Sequence, residues 1–150
     1  MRVFTGRAEL AGAIGEHLGF SEWHVVTQQQ VDGFADATGD HQWIHVDVER
    51  ARSGPFGGTI AHGYLTLSMI PQLGREVFRV DGIAMGINYG CNKVRFPAPL
   101  PVGARVRAGV EVADVQELRQ GTQVGYRYTI ELEGAPRPVC VAETVVLLVG

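Results

Sequence analysis

Basic charge is scarce in this sequence. Thirteen Lys and Arg stand against sixteen Asp and Glu, for a formal net charge of -3. Binding phosphate backbones needs a basic face, so this balance argues against nucleic acid as the main partner. Cysteine is nearly absent. Cys91 and Cys140 lie far apart and lack metal-ligand spacing, so they are expected as reduced thiols packed in a core rather than as a bridge. Long apolar runs are missing too. The most continuous, Val145 to Val149, falls far short of the roughly 20 residues that cross a bilayer, so no membrane partner is expected. The opening MRVFTGRAELAGAIGEHLG has no apolar h-region and carries acids early. It does not read as a signal peptide, which makes the cytoplasm the expected location. Repeats, low-complexity tracts and linker-like stretches are also lacking, so one domain spanning 1–150 is expected. A chain of 150 residues, 45% hydrophobic, can bury a substantial core without metals or disulfides.

What is present changes period along the chain. Leu10, Ala11, Ile14 and Leu18 recur at helical spacing, predicting a short amphipathic helix over roughly residues 7–18. Thr27 and Gln30 form a T-x-x-Q capping box, with Val26 and Val31 placed as a hydrophobic staple. Val31, Phe34, Ala35 and Thr38 line one face of the helix that follows, and Gly39 stands where a helix stops. Asp47 can cap another short turn over 48–52. These signals leave Asp40 to His45 as an ordered loop between two helical pieces. The segment from Tyr64 to Leu73 is apolar nearly all round, as in a buried helix, and Pro71 marks its end or a bend. From about residue 85 the pattern alternates. Val106, Ala108, Val110 and Val112 face one way, as do Val124, Tyr126, Tyr128, Ile130 and Leu132. These are half-buried antiparallel strands. Residues 139–149 are apolar on both faces, as in a central strand. The fold class is α+β, with an antiparallel sheet wrapped on a buried helix.

Polar residues crowd one stretch, Phe34-Ala-Asp-Ala-Thr-Gly-Asp-His-Gln-Trp-Ile-His45. Asp40 and His45 can converge across a loop on one small molecule. A carboxylate can orient an imidazole or take a proton from water, and histidine exchanges protons near neutral pH. The bland alternative is an Asp that closes a turn and a His satisfied in the core. A second signal, Gly57-Gly-Thr-Ile-Ala-His-Gly-Tyr64, precedes the buried helix. Gly63 at its N-terminus offers free N–H groups to a carbonyl oxygen gaining charge; equally, the glycines only permit a tight turn. His41, His45 and His62 raise a metal question, but an H-x-x-x-H in a predicted loop, without thiolate or H-E-x-x-H, does not make a zinc site. Lys93, Arg95, Arg105 and Arg107 either meet CoA phosphates or form the solvated face of their strands.

The runs ATGDHQWIHVD, IAHGYLTL and NYGCNKVRFPAPLPVGARVRA together resemble the MaoC-like dehydratases, or R-specific enoyl-CoA hydratases, of the short mycobacterial type. The resemblance covers roughly residues 20–149, with three motifs in the family's order. It implies a hot-dog fold, a long central helix wrapped by an antiparallel sheet and paired into a homodimer. It implies hydration of a trans-2-enoyl-CoA thioester to the (R)-3-hydroxyacyl-CoA, with no metal or redox cofactor. Asp40 and His45 fall on the family's catalytic pair and Gly63 on its thioester-oxygen donor. His62 and the Asn88-Tyr89-Gly90 region then line the pocket. The commoner motif has Asn-Pro where this chain has Gln42-Trp43. Gln42 can supply an amide hydrogen bond to Asp40 or water, while Trp43 packs. Two rival functions are a hot-dog thioesterase and a non-catalytic acyl-CoA-binding or assembly subunit.

Overall fold

The computed structural model describes residues 1–150, and strands begin earlier in it than the periodicity suggests. β1 (Arg2–Phe4), α1 (Arg7–Ala11), β2 (His17–Phe20) and β3 (His24–Val25) come first. Helices follow: α2 (Gln28–Thr38), α3 (Trp43–Val46), α4 (Val48–Arg52), α5 (Gly63–Ser68) and α6 (Ile70–Val77). β4 (Phe78–Val80) then leads into β5 (Met85–Arg95), β6 (Arg105–Leu118), β7 (Gly121–Leu132) and β8 (Cys140–Val149). The main sheet is antiparallel, ordered β2-β6-β7-β8-β5, with β3 also on β6. β1 and β4 form a separate parallel pair.

The alternation of β6 and β7 survives in full. Val106, Ala108, Val110, Val112, Val124 and Ile130 are completely buried, and Tyr126 and Tyr128 nearly so. Their register sets Val110 opposite Tyr128 and Ala108 opposite Ile130, so one face is continuously apolar. The other face is stitched by cross-strand ion pairs. Arg105 reaches Glu133 at 2.6 Å, Arg107 reaches Glu131 at 2.7 Å and Arg127 reaches Glu111 at 2.8 Å. Two of the four basic residues raised as CoA contacts are therefore committed to the sheet. β8 lies between β7 and β5, the interior place its two apolar faces call for.

Against this inner face lies the helical run α5–α6, which buries Leu65, Met69, Ile70, Leu73 and Val77. A sheet wrapped on this helix is the hot-dog, α+β arrangement. The helix is interrupted at Pro71 as expected, but it is not apolar all round. It breaks at Met69, because Pro71 has no N–H to return to the carbonyl of Leu67. Hydrogen bonding resumes with Leu73 N–H to Met69 O at 3.1 Å. One flank is open, with Tyr64, Ser68, Pro71 and Arg75 exposed. Leu73 is fully buried beyond the break. Its replacement by alanine is expected to cost about 2–5 kcal/mol, measured by urea unfolding, because a core cavity relaxes only in part.

Three further expectations change. The first helix ends at Ala11, and Leu18 sits in β2 instead. Gly12 and Gly15 follow, with Gly15 at φ 85°, and turn the chain into the sheet. Cys140 is buried as expected, but Cys91 is exposed on β5. His45 stands on a helical turn, α3, so the connecting loop is only 39–42. No helix is long and apolar enough to cross a membrane.

Candidate active site

α2 is capped as its sequence predicts. Thr27 Oγ1 accepts from the N–H of Gln30 at 3.1 Å. Gly39 ends the helix in the left-handed region at φ 81°. That reversal delivers Asp40 to the surface, its side chain 52% exposed. Asp40 Oδ1 accepts from the backbone N–H of Gln42 at 3.3 Å. The amide that orients Asp40 is thus the backbone of Gln42 rather than its side chain. Trp43 packs, as expected, under the guanidinium of Arg50 at 4.2 Å. Its ring closes over Gly54, where an added Cβ would lie 3.1 Å from it.

His45 is buried, and its Nδ1–H donates to the carbonyl of Ile60 at 2.7 Å. That bond leaves Nε2 to face the site. The loop carrying Ile60 is tied back to α3 by Ile60 N–H to Ile44 O at 3.0 Å. His62, just before α5, is 3% exposed. Its ring stacks on His45 with centroids 3.8 Å apart. His62 Nε2–H donates to the backbone carbonyl of Asp40 at 2.9 Å, which pins the loop that carries the acid. His62 Nδ1 is buried and has no partner. One polar atom from each of Asp40, His45 and His62 lies within 4.8 Å of the other two. These three, and not His41, are the residues that could hold a cation. Two of their nitrogens are already engaged on carbonyls. His41 instead bonds Asp36 at 2.9 Å, an exposed contact that raises its pKa.

Gly63 opens α5, and the amides of Gly63 and Tyr64 have no acceptor inside the chain. A small cavity of about 180 Å³ joins Gly63 to His45, Ile60 and Phe96. A Cβ on Gly63 would come within 2.8 Å of the Phe96 ring, so close packing demands glycine there. His45 and the free amide of Gly63 thus share this cavity, and Asp40 approaches His45 from outside its lining.

A family model described as "MaoC like domain" matches residues 9–133. The chain belongs to the MaoC-like dehydratase family. Over its full length it is 55% identical to 3-hydroxyacyl-thioester dehydratase Z of Mycobacterium tuberculosis H37Rv, also covered in full. It is 42% identical to Nodulation protein N of Rhizobium leguminosarum bv. viciae, with 94% of this chain and 89% of that protein aligned. Among solved structures, the (R)-hydratase from A. caviae superposes with a TM-score of 0.73 at 26% identity. That match covers 90% of this chain and 96% of the hydratase.

The structure of this MaoC-like dehydratase splits the remaining site residues. Asn88 and Gly90, on β5, line a different and larger cavity of about 700 Å³ between α5–α6 and the sheet. Tyr89 is 64% exposed on the other side of the strand and lines neither cavity. The Asn88-Tyr89-Gly90 region therefore does not join His62. Alternation along the strand turns Tyr89 away from its two neighbours, and those two line a cavity that shares no residue with the one at Gly63. Sequence reasoning also missed the support beneath His45. Gln28 Nε2 donates to the carbonyl of His45 at 2.8 Å, and Thr59 Oγ1 donates to Gln28 Oε1 at 2.6 Å. Gln28 and Thr59 are 31 residues apart, and no local pattern links them. Phe96 was missed as well; it lies in the run that carries the resemblance, but nothing there signals its contact with Gly63.

Proposed function

We propose that this dehydratase hydrates trans-2-enoyl-CoA thioesters to (R)-3-hydroxyacyl-CoA, and runs the reverse dehydration, with Asp40 and His45 as the acid/base pair. The observation that carries this reading is the approach of a polar atom of Asp40 to one of His45, within 4.8 Å, while His45 shares a cavity with the free amide of Gly63. The thioester oxygen accepts from that amide, and one water sits between Asp40 and His45. Asp40 takes a proton as the water oxygen bonds to C3. Charge moves onto the thioester oxygen, where the Gly63 N–H stabilises it. His45, entering as imidazolium with its Nδ1–H held on Ile60, gives its Nε2 proton to C2 on the same face. The proton on Asp40 then passes to His45 and restores the pair. His62 acts by holding the Asp40 backbone.

The test is hydration of crotonyl-CoA and longer 2-enoyl-CoA thioesters, followed by loss of enoyl absorbance, thiol titration and chiral analysis. Absorbance loss without free thiol, giving the R alcohol, is the expected result. Release of CoA thiol would instead mark a thioesterase. No reaction with any chain length, with tight acyl-CoA binding, would mark a binding subunit.

We also infer a homodimer formed through β5. That strand ends the sheet with one edge unpaired, and Met85, Ile87 and Tyr89 are exposed along it. Such an edge invites pairing, and its apolar side chains suit a second copy of the chain. Light scattering is expected to give twice the 16.2 kDa chain mass. Ile87→Lys should shift the protein toward monomer; a monomeric parent would sink the inference.

A further inference from the structure

The larger cavity lies beside the same helix as the active site, starting about one turn beyond Gly63. Its lining runs from Leu67 to Gly74 and on to Phe78 along the helix. At a rise of 1.5 Å per residue, Gly74 is about 16 Å from Gly63 along that axis. An acyl tail leaving the thioester along the open flank of the helix would be directed toward it. A hydrocarbon tail wants apolar walls, and much of the lining supplies them.

The floor departs from that pattern. Tyr126 and Tyr128 are 3% and 5% exposed and line the cavity. Burial pushes both phenols well above their ordinary pKa, and neither hydroxyl has a hydrogen-bond partner within the chain. Both hydroxyls therefore stay protonated and able to donate. Thr144, across the same cavity, has a buried Oγ1 with no partner at all. Gly74 makes the arrangement possible: a Cβ there would come within 2.5 Å of the Tyr128 hydroxyl oxygen. One unpaired buried hydroxyl and two phenols that open onto the cavity without a partner in the chain serve no purpose in a pocket meant only for alkyl chains. Phenylalanine and valine would fill the same volume without that cost.

We propose that this cavity selects acyl thioesters whose chain carries a hydrogen-bonding oxygen, a hydroxyl or carbonyl, several carbons beyond the reacting double bond. The reaction is that of the hydratase reading above; the new claim concerns which chain it accepts. Tyr126, Tyr128 and Thr144 are specificity-determining residues in this scheme and take no part in the chemistry.

The experiment compares two 2-enoyl-CoA thioesters of equal length, one alkyl throughout and one with a mid-chain keto or hydroxyl group. The parent is expected to favour the oxygenated chain about tenfold in kcat/KM, since an analogue without the oxygen leaves buried donors unpaired. Tyr128→Phe and Thr144→Val should each reduce that ratio, and the double variant should bring it to about one. A parent ratio of one or below overturns the proposal, as does a ratio untouched by both substitutions. If neither thioester reacts, the hydratase reading fails on its own. Calorimetry with the matching saturated acyl-CoA pair then decides the preference: tighter binding of the oxygenated chain by the parent alone supports it, and equal binding overturns it.

Discussion

Asp40→Asn is expected to lower kcat for enoyl-CoA hydration by about 10²–10⁴-fold while leaving the fold unchanged. The substitution keeps an oxygen to accept from the Gln42 N–H, and the backbone carbonyl still accepts from His62. The loop should therefore hold its shape and lose only the group that takes a proton. His45→Gln should cost a similar factor, because an amide can hold water but cannot deliver a proton. The two changes should not multiply: when two groups act on one water, losing either disables the step, and the double variant should fall close to the worse single one. Steady-state kinetics on a 2-enoyl-CoA, with circular dichroism to confirm folding, checks both claims. Rates within threefold of the parent in both single variants would remove these side chains from the chemistry.

The second large effect is expected at Gly63. Gly63→Ala places a methyl 2.8 Å from the Phe96 ring, so either the ring or the start of α5 must move. A shift of the donor by about 1 Å should lower kcat by about 10²-fold, the scale seen when one oxyanion donor is lost or misplaced. Phe96 is 40% exposed, so stability should change little, and the rate falls to the extent that the start of α5, rather than the ring, gives way. Adding Phe96→Ala to the same chain relieves the clash and should recover part of the rate. Recovery separates a misplaced donor from a generally damaged site. Full parental activity in Gly63→Ala would show that this amide does not bind the reacting oxygen.

The outline of the fold and the nearness of the candidate residues Asp40 and His45 could be read from residue order, for reasons that differ by region. β6 and β7 alternate strictly because one face is core and the other is water, and a period of two records that directly. The cap at Thr27 and the stop at Gly39 are local chemistry, confined to a few residues. The short strands β1 to β4 were invisible because their pairing partners lie far along the chain: Arg2 opposite Phe78, His24 opposite Val106. No window on the sequence contains both halves. The site followed the same division. Asp40 and His45 share one loop-and-turn and could be named together. Gln28 and Thr59, which brace His45, become neighbours only after α2 packs on the segment before α5. Asn88 and Gly90 stay together on one cavity while the strand turns Tyr89 away from it.

The ladder of arginine–glutamate pairs on the outer sheet has a consequence for how a charged carrier arrives. Of the cations borne by strands, Arg2, Arg79, Arg105, Arg107 and Arg127 already sit beside carboxylates. Lys93 and Arg95 have no carboxylate partner and are exposed on β5 just ahead of Phe96 and the entrance at Gly63, although Arg95 donates to the carbonyl of Val94. A polyanion diffusing toward this acidic molecule is repelled by most of the sheet and drawn to one corner of it. Encounter should therefore be guided to the working end and slow as added salt screens that corner.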